Sequence, residues 1–590
     1  MNLSPRLLSL FMLAPLAACA TAPVETAVLQ AAEPAPLVVE QSGPPPPDVS
    51  LVGLYLAGNA AMRDGRNEAA ADYFARAAEL VEEEGAPFLR ERAFTAAVNA
   101  GEIERAAKLV PNPGEASQGA QRLGKLVQVV EALTTGDGAA AHAILRADDI
   151  GQPYRNVALL LRPWAAVMAG EPDPAGASRS GGPGGGDRLN LAFSLANRAL
   201  VLEHAKKVEE AEAAYQTLMA SGVAMRSFSL NYGAFLERQG KKAQALAIYD
   251  RMLAEQPDDR AAVLARANAA QRRSTPPALL TPKEAAAQAL LMTGTGAMAQ
   301  GQTATALIYV RLALRLDPNR PEALLLAGSF AEQQGDYDEA RRIYAKVPTR
   351  AAEYLDARTR IAQTYRAQEQ VAKAVEIARE TVRQAPNDRS AQLDLADLLR
   401  SAEDYEGSAR VLTKVISTKG REPDWRIYYA RAIALENAGR WPEAEKDLIK
   451  ALEINPDQAD VMNYLGYTWA DRGENLPQAM DLLQKAVRAQ PNSGAIVDSL
   501  GWAYFRLGDI PKAVELLERA VELAPSDPDL NDHLGDAYAK LPGRRLEALF
   551  QWERVLTLRP SDELRAKVEA KIAQEQKATS VATAPPPTQP

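Results

Sequence analysis

A chain of 590 residues, 47% apolar and 24% charged, is too long for one small domain and too mixed for a disordered or multi-span membrane protein. Its net charge of -9 comes from interleaved acids and bases, with no basic stripe to neutralise phosphates, so nucleic acid is not an expected partner. One cysteine, Cys19, and three scattered histidines, His142, His204 and His533, exclude an internal disulfide and nearly exclude a zinc site, and no cofactor is expected.

Residues 1–18 carry Arg6 near the start and then the apolar run LLSLFMLAPLAA, the length of an export-signal core and too short to span a bilayer. The run ends in Leu16-Ala17-Ala18-Cys19, which resembles the lipobox of bacterial lipoproteins. That resemblance implies cleavage before Cys19, acylation of its thiol and a lipid anchor, with Ala20 rather than Asp directing the protein to the periplasmic face of the outer membrane. The alternative is an ordinary secretory signal cut at a neighbouring small-x-small site. Residues 19–50 are rich in Pro and Ala, with four consecutive prolines, and read as an extended tether.

From Leu51 onward the pattern is helical, without alternating β-branched runs. Small residues recur at Gly294, Gly328, Ala362, Ala396, Ala432, Gly466, Gly501 and Gly535, every 34 to 36 residues. Prolines close the period at Pro318, Pro386, Pro456, Pro491, Pro525 and Pro560, and glycines such as Gly335, Gly439 and Gly508 stand where a helix should turn. Segments such as NYLGYTWADRG and DSLGWAYFRLGD resemble the tetratricopeptide repeat, a pair of antiparallel helices. The fold this implies is all-α, a tetratricopeptide-type α-solenoid with helix pairs wound in a right-handed superhelix.

The chain order expected is an N-terminal helical half at 51–272 with degenerate units, then about eight clear units at 285–576 ending in a capping helix, then a disordered tail at 577–590. Two breaks punctuate it: the Gly-rich 173–188 and the Pro-containing 272–284. GGPGGG lacks the following Lys-Ser/Thr and the preceding strand of a phosphate loop, so a flexible link is the better reading. In TGTGAMAQG, the outer glycines Gly294 and Gly301 fall on packing and turn positions.

No metalloprotease, serine-hydrolase or P-loop motif appears, and no catalytic residue is expected. The resemblance implies instead a groove lined by the first helix of each repeat. Carried over by position, it names Asn463, Tyr464, Tyr467 and Asp471, then Asp498, Trp502, Phe505 and Arg506, then Asp532, His533, Asp536 and Lys540 as a partner-binding face. Burial of Tyr467, Trp502 and Phe505 against a neighbouring unit is the competing expectation, while Trp469, Tyr504 and Tyr538 belong to the core. The C-terminal units resemble proteobacterial lipoproteins that act as adaptors for a carboxyl-terminal processing protease, or in envelope assembly, secretion or polysaccharide export. An enzyme with its site hidden in residues 86–272 is the rival class.

Overall fold

The computed structural model describes residues 50–81, 86–112, 114–148, 150–176, 188–223, 225–418 and 424–582. The expectations for the export signal, for Cys19, for the tether to residue 49 and for most of the Gly-rich break lie outside them. Among the described residues the regular structure is helical, with no strand. The chain parts into two compact bodies between Glu403 and Asp404.

The N-terminal body opens with α1 (Leu51–Arg63), α2 (Asn67–Glu79), α3 (Ala86–Ala100), α4 (Ile103–Lys108), α5 (Gln118–Thr135), α6 (Gly138–Arg146) and α7 (Arg155–Ala169). It continues with α8 (Arg188–His204), α9 (Val208–Ala220), α10 (Arg226–Arg238), α11 (Lys242–Glu255) and α12 (Arg260–Ala270). It then runs through α13 (Pro282–Ala299), α14 (Thr303–Leu316), α15 (Pro321–Gln333), α16 (Tyr337–Tyr344), α17 (Tyr354–Ala367), α18 (Val371–Gln384) and α19 (Arg389–Ser401). The second body holds α20 (Tyr405–Ser417), α21 (Trp425–Asn437), α22 (Trp441–Ile454), α23 (Ala459–Arg472), α24 (Leu476–Ala489), α25 (Gly494–Leu507), α26 (Ile510–Leu523), α27 (Pro528–Ala539), α28 (Arg545–Thr557) and α29 (Asp562–Ala582).

In the repeat grammar each first helix packs on the second helix that follows it, as α13 does on α14, α21 on α22 and α25 on α26. The small residue in the first helix permits this approach. A Cβ on Gly535 would sit 2.5 Å from the Trp552 indole nitrogen, closer than any real contact. Between the helices of such a pair, Gly508 takes φ 82°, and the Asp509 N–H then reaches back to the Tyr504 carbonyl at 3.0 Å, closing the end of α25. The next helix starts on the Asp509 side chain, which accepts from the Lys512 N–H at 3.2 Å.

Two expectations are corrected. The break at 272–284 does not separate halves, because α13 packs on α7 and α8 while α14 packs on α3 and α5, all within one body. An apolar core running from Leu54 to Phe330 holds this region together across both breaks. The stack therefore passes from α7 to α13, and α8–α12 branch out between them. The second correction is at the end of the chain: α29 continues to Ala582, past the expected start of the tail at 577.

Candidate partner-binding face

The first helices α21, α23, α25 and α27 of the C-terminal body carry the predicted face. Three residues before each small residue, one register position is occupied in turn by Tyr429, Asn463, Asp498 and Asp532. Burial deepens along this series. Tyr429 and Asn463 are half-buried, whereas Asp498 is 5% exposed and Asp532 1%.

Trp502 lies at the centre. Its ring stacks on His533 at 4.1 Å and on Phe505 at 4.8 Å, and its indole N–H donates to Asp471 Oδ1 at 3.2 Å. These neighbours leave it only 9% exposed, so the reading of Trp502 as an open contact residue is corrected in favour of burial. His533 Nδ1 lies 2.9 Å from Asp498 Oδ2. Burial of the imidazole works against its charge, but Asp498, with Asp532 and Asp536 behind it, prevails and holds the His533 pKa above the usual histidine value. Asp498 is thus engaged inside the repeat stack and does not line a groove.

The last repeat is occupied from within. Lys571 of α29 donates to Asp532 Oδ1 at 2.6 Å and pairs with Asp536 at 2.5 Å, while Lys567 stands 3.3 Å from the other Asp532 oxygen. Asp536 also accepts from the Trp552 indole N–H at 3.2 Å. The assignment of Asp532 and Asp536 to a partner face is corrected accordingly: the capping helix takes the place a partner would have there. Burial, and the nearby Asp532, still raise the Asp536 pKa despite Lys571.

What stays accessible is the stretch from α21 to α25. Tyr464, Tyr467 and Phe505 are half-buried, and Asp471 and Arg506 are exposed; Lys540, also exposed, lies beyond this stretch at the end of α27. Arg506 Nη2 donates to the Asp471 carbonyl at 2.6 Å and also faces its carboxylate at 3.7 Å. Tyr467 is pushed up to about 12, by burial first and then by Asp471, Asp498 and Asp529. Tyr464 donates to Glu436 at 3.3 Å, and Tyr429 meets its ring edge-on at 5.9 Å. Tyr429 and Glu436 extend the face by one repeat beyond the sequence reading, and the register position of Tyr429 is the signal that would have found them. Trp469 and Tyr538 are buried as core residues and Tyr504 is half-buried.

Among the described residues no group of three or more His, Cys, Asp or Glu could hold a metal ion, and no helix is long and apolar enough to cross a membrane. A cleft of about 390 Å³ at the start of α4 contains Arg105, Lys108 and Arg315. These cations already pair with Asp72, Glu104 and Glu131 respectively, so the cleft offers no surplus charge to a ligand.

Tetratricopeptide-repeat family models match residues 197–260, 297–361, 331–399 and 429–494, and a TPR repeat model matches 501–541. The chain therefore carries tetratricopeptide repeats in both bodies, and its fold is an α-solenoid of that type. A TPR repeat-containing protein of Pseudomonas aeruginosa is 30% identical over 185 residues, 31% of this chain and 31% of that protein. Bacteriophage adsorption protein A of Escherichia coli is 31% identical over 88 residues, 15% of this chain and 9% of that protein. The chain thus spans less than a third of the length of these relatives. Among solved structures, the APC/C hetero-tetramer Cut9-Hcn1 is 14% identical with a TM-score of 0.35, covering 89% of this chain and 96% of that one. MamA from Desulfovibrio magneticus RS-1 is 21% identical with a TM-score of 0.26, covering 30% of this chain and 97% of that one.

Proposed function

We propose that the protein is a non-enzymatic scaffold that docks protein partners on the first-helix face of repeats α21 to α25. The observation that carries this is the half-buried aromatic stripe of Tyr429, Tyr464, Tyr467 and Phe505, edged by the exposed Asp471 and Arg506. Rigid rings offer contact area at little entropic cost, and flanking charges set register. Tetratricopeptide repeats generally mediate protein–protein association, which supports the same reading.

The finer proposal places the scaffold at the cell envelope. Cys19 at the end of an export-signal core supports acylation and anchoring at the periplasmic face of the outer membrane. There it would act as an adaptor that presents substrates to a carboxyl-terminal processing protease. Two experiments test the parts separately. A photo-crosslinking amino acid at Tyr467 or Phe505 should form adducts with a discrete partner, whereas one at the exposed Lys485 of α24 should not. Equal labelling from all three positions would remove the docking face. For the anchor, Cys19→Ser should leave the outer-membrane fraction and lose its acyl chains; retention there would remove the anchor and leave the docking proposal standing.

A further inference from the structure

Helices α8–α12 leave the stack after α7 and rejoin it at α13, and the two ends of this arm are held differently. The base is buried and close-packed. Trp164 donates its indole N–H to Asn197 Oδ1 at 2.6 Å, and Asn197 donates in turn to the Leu160 carbonyl at 3.0 Å. His204 stands edge-on to Trp164 at 5.4 Å with its Nε2 2.7 Å from the Leu280 carbonyl. The Phe193 ring lies against Gly296 of α13, where a Cβ would come within 3.2 Å of it. This close approach accounts for the middle glycine of TGTGAMAQG.

The tip is held by charge. Arg226, at the start of α10, donates to Glu353 at 3.0 Å and faces Asp259 at 3.2 Å. Arg260, at the start of α12, grips both oxygens of Asp388 at 2.7 and 2.8 Å and pairs with Asp356. Arg389 returns the contact from α19 to Asp258 at 3.1 Å. The pairs that join the arm to α17 and α19 lie between 96 and 131 positions apart in the chain, while Arg226 and Asp259 both belong to the arm. Glu353, Asp356 and Asp388 all stand at the N-terminal ends of the first helices α17 and α19.

These two modes of attachment respond differently to solvent. Apolar packing at the base is indifferent to screening, whereas the reach of charge falls from about 10 Å at 0.1 M salt to about 3 Å at 1 M. Arg260, Glu353, Asp388 and Asp259 are largely buried while the tip is closed, so parting it has to return these charges to water, where they are solvated. An arm so built has a fixed root and a detachable end.

We infer that α8–α12 form a releasable strap, clasped at its tip by Arg226, Arg260 and Arg389 across the N-terminal ends of α17 and α19. Screening or competing charge frees the tip while the base remains docked. The clasp involves α17 and α19 and does not rest on the docking reading for α21 to α25.

The test uses the full chain without any partner. In a Cys19→Ser background, spin labels at Val263→Cys on α12 and Ala367→Cys on α17 report the tip distance, and labels at Leu191→Cys and Gln300→Cys report the base. Pulsed electron-electron resonance should give a narrow tip distribution at low salt. The distribution should lengthen and broaden at 1 M salt and in the Arg226→Ala/Arg260→Ala variant, while the base distribution stays fixed. Arg260→Lys should fall between. An unchanged tip distance under both treatments, or equal changes at tip and base, overturns the strap. Because no partner is present, these outcomes are independent of whether the docking face is real.

Discussion

The arm tip and the C-terminal repeats both contain carboxylates facing cations, yet they are held in opposite ways. In α25–α29 the charges are built into packed helices: His533 stacks on Trp502 and pairs with Asp498, Lys571 pairs with Asp532, and Val514, Leu517, Leu534 and Trp552 form an apolar cluster in the same helices. At the arm tip the arginines bridge α10 and α12 to the N-terminal ends of α17 and α19. Charges supported by a core add rigidity to an element that is already formed. Charges acting alone make a contact that can be undone without unfolding anything.

The largest effect should come from removing the support in the C-terminal body. Trp552→Ala takes out the side chain that fills the notch at Gly535 and carries the hydrogen bond to Asp536, and should cost about 3–5 kcal/mol. Hydrogen exchange should show lost protection confined to α27–α29, since repeats contact only their neighbours. Loss spread evenly over the whole chain would contradict the nearest-neighbour picture.

The next effect belongs to Asp394 in α19, which faces Arg260 and Asp356 and accepts from Thr359 at 2.9 Å. Burial pushes its carboxyl up to about 6 from an ordinary 3.8, so its ionisation costs stability in the folded state. That cost is absent below about pH 4 and complete above about pH 6, amounting to about 2–3 kcal/mol. Asp394→Asn keeps an acceptor for Thr359 and should raise the melting temperature at pH 8 but not at pH 4. A lower melting temperature at pH 8 would mean that the Arg260 charge outweighs burial.

His533 supplies the matching experiment in the other body. A histidine whose folded pKa is raised contributes stability that is fully present below its unfolded value near 6.5 and is lost as pH rises through the folded value. Asp498→Asn removes the carboxylate that raises it, so the variant should lose more stability at pH 6 than at pH 9. A penalty independent of pH would assign Asp498 a packing role only.

Arg260→Ala should cost less global stability in urea unfolding than Trp552→Ala, because the carboxylates it leaves at the tip can reach water when the tip opens. A loss comparable to that of Trp552→Ala would make the tip part of the core and erase the contrast between the two regions.

The sequence made some of these features plain and hid others for physical reasons. Gly501, Gly535 and the turn at Gly508 were legible because a 34-residue period repeats the same steric demand in every unit. The capping helix was legible as well, but not its lysines, since nothing local ties Lys567 and Lys571 to Asp532. Carrying groove positions over from the family therefore labelled Asp532 and Asp536 as open when α29 covers them. Both composition breaks were visible too, at 173–188 and 272–284. That they flank one arm depends on α13 packing on α7, a contact between residues more than a hundred positions apart, and no periodicity encodes it.

The docking face is tested most directly by titrating the partner identified through crosslinking against two variants of the intact protein. Arg506→Glu should weaken binding about tenfold or more while leaving the melting temperature near that of the parent, and Lys485→Glu on α24 should leave affinity unchanged. Equal affinities for both variants, or a larger loss from Lys485→Glu, would contradict docking on the first-helix face.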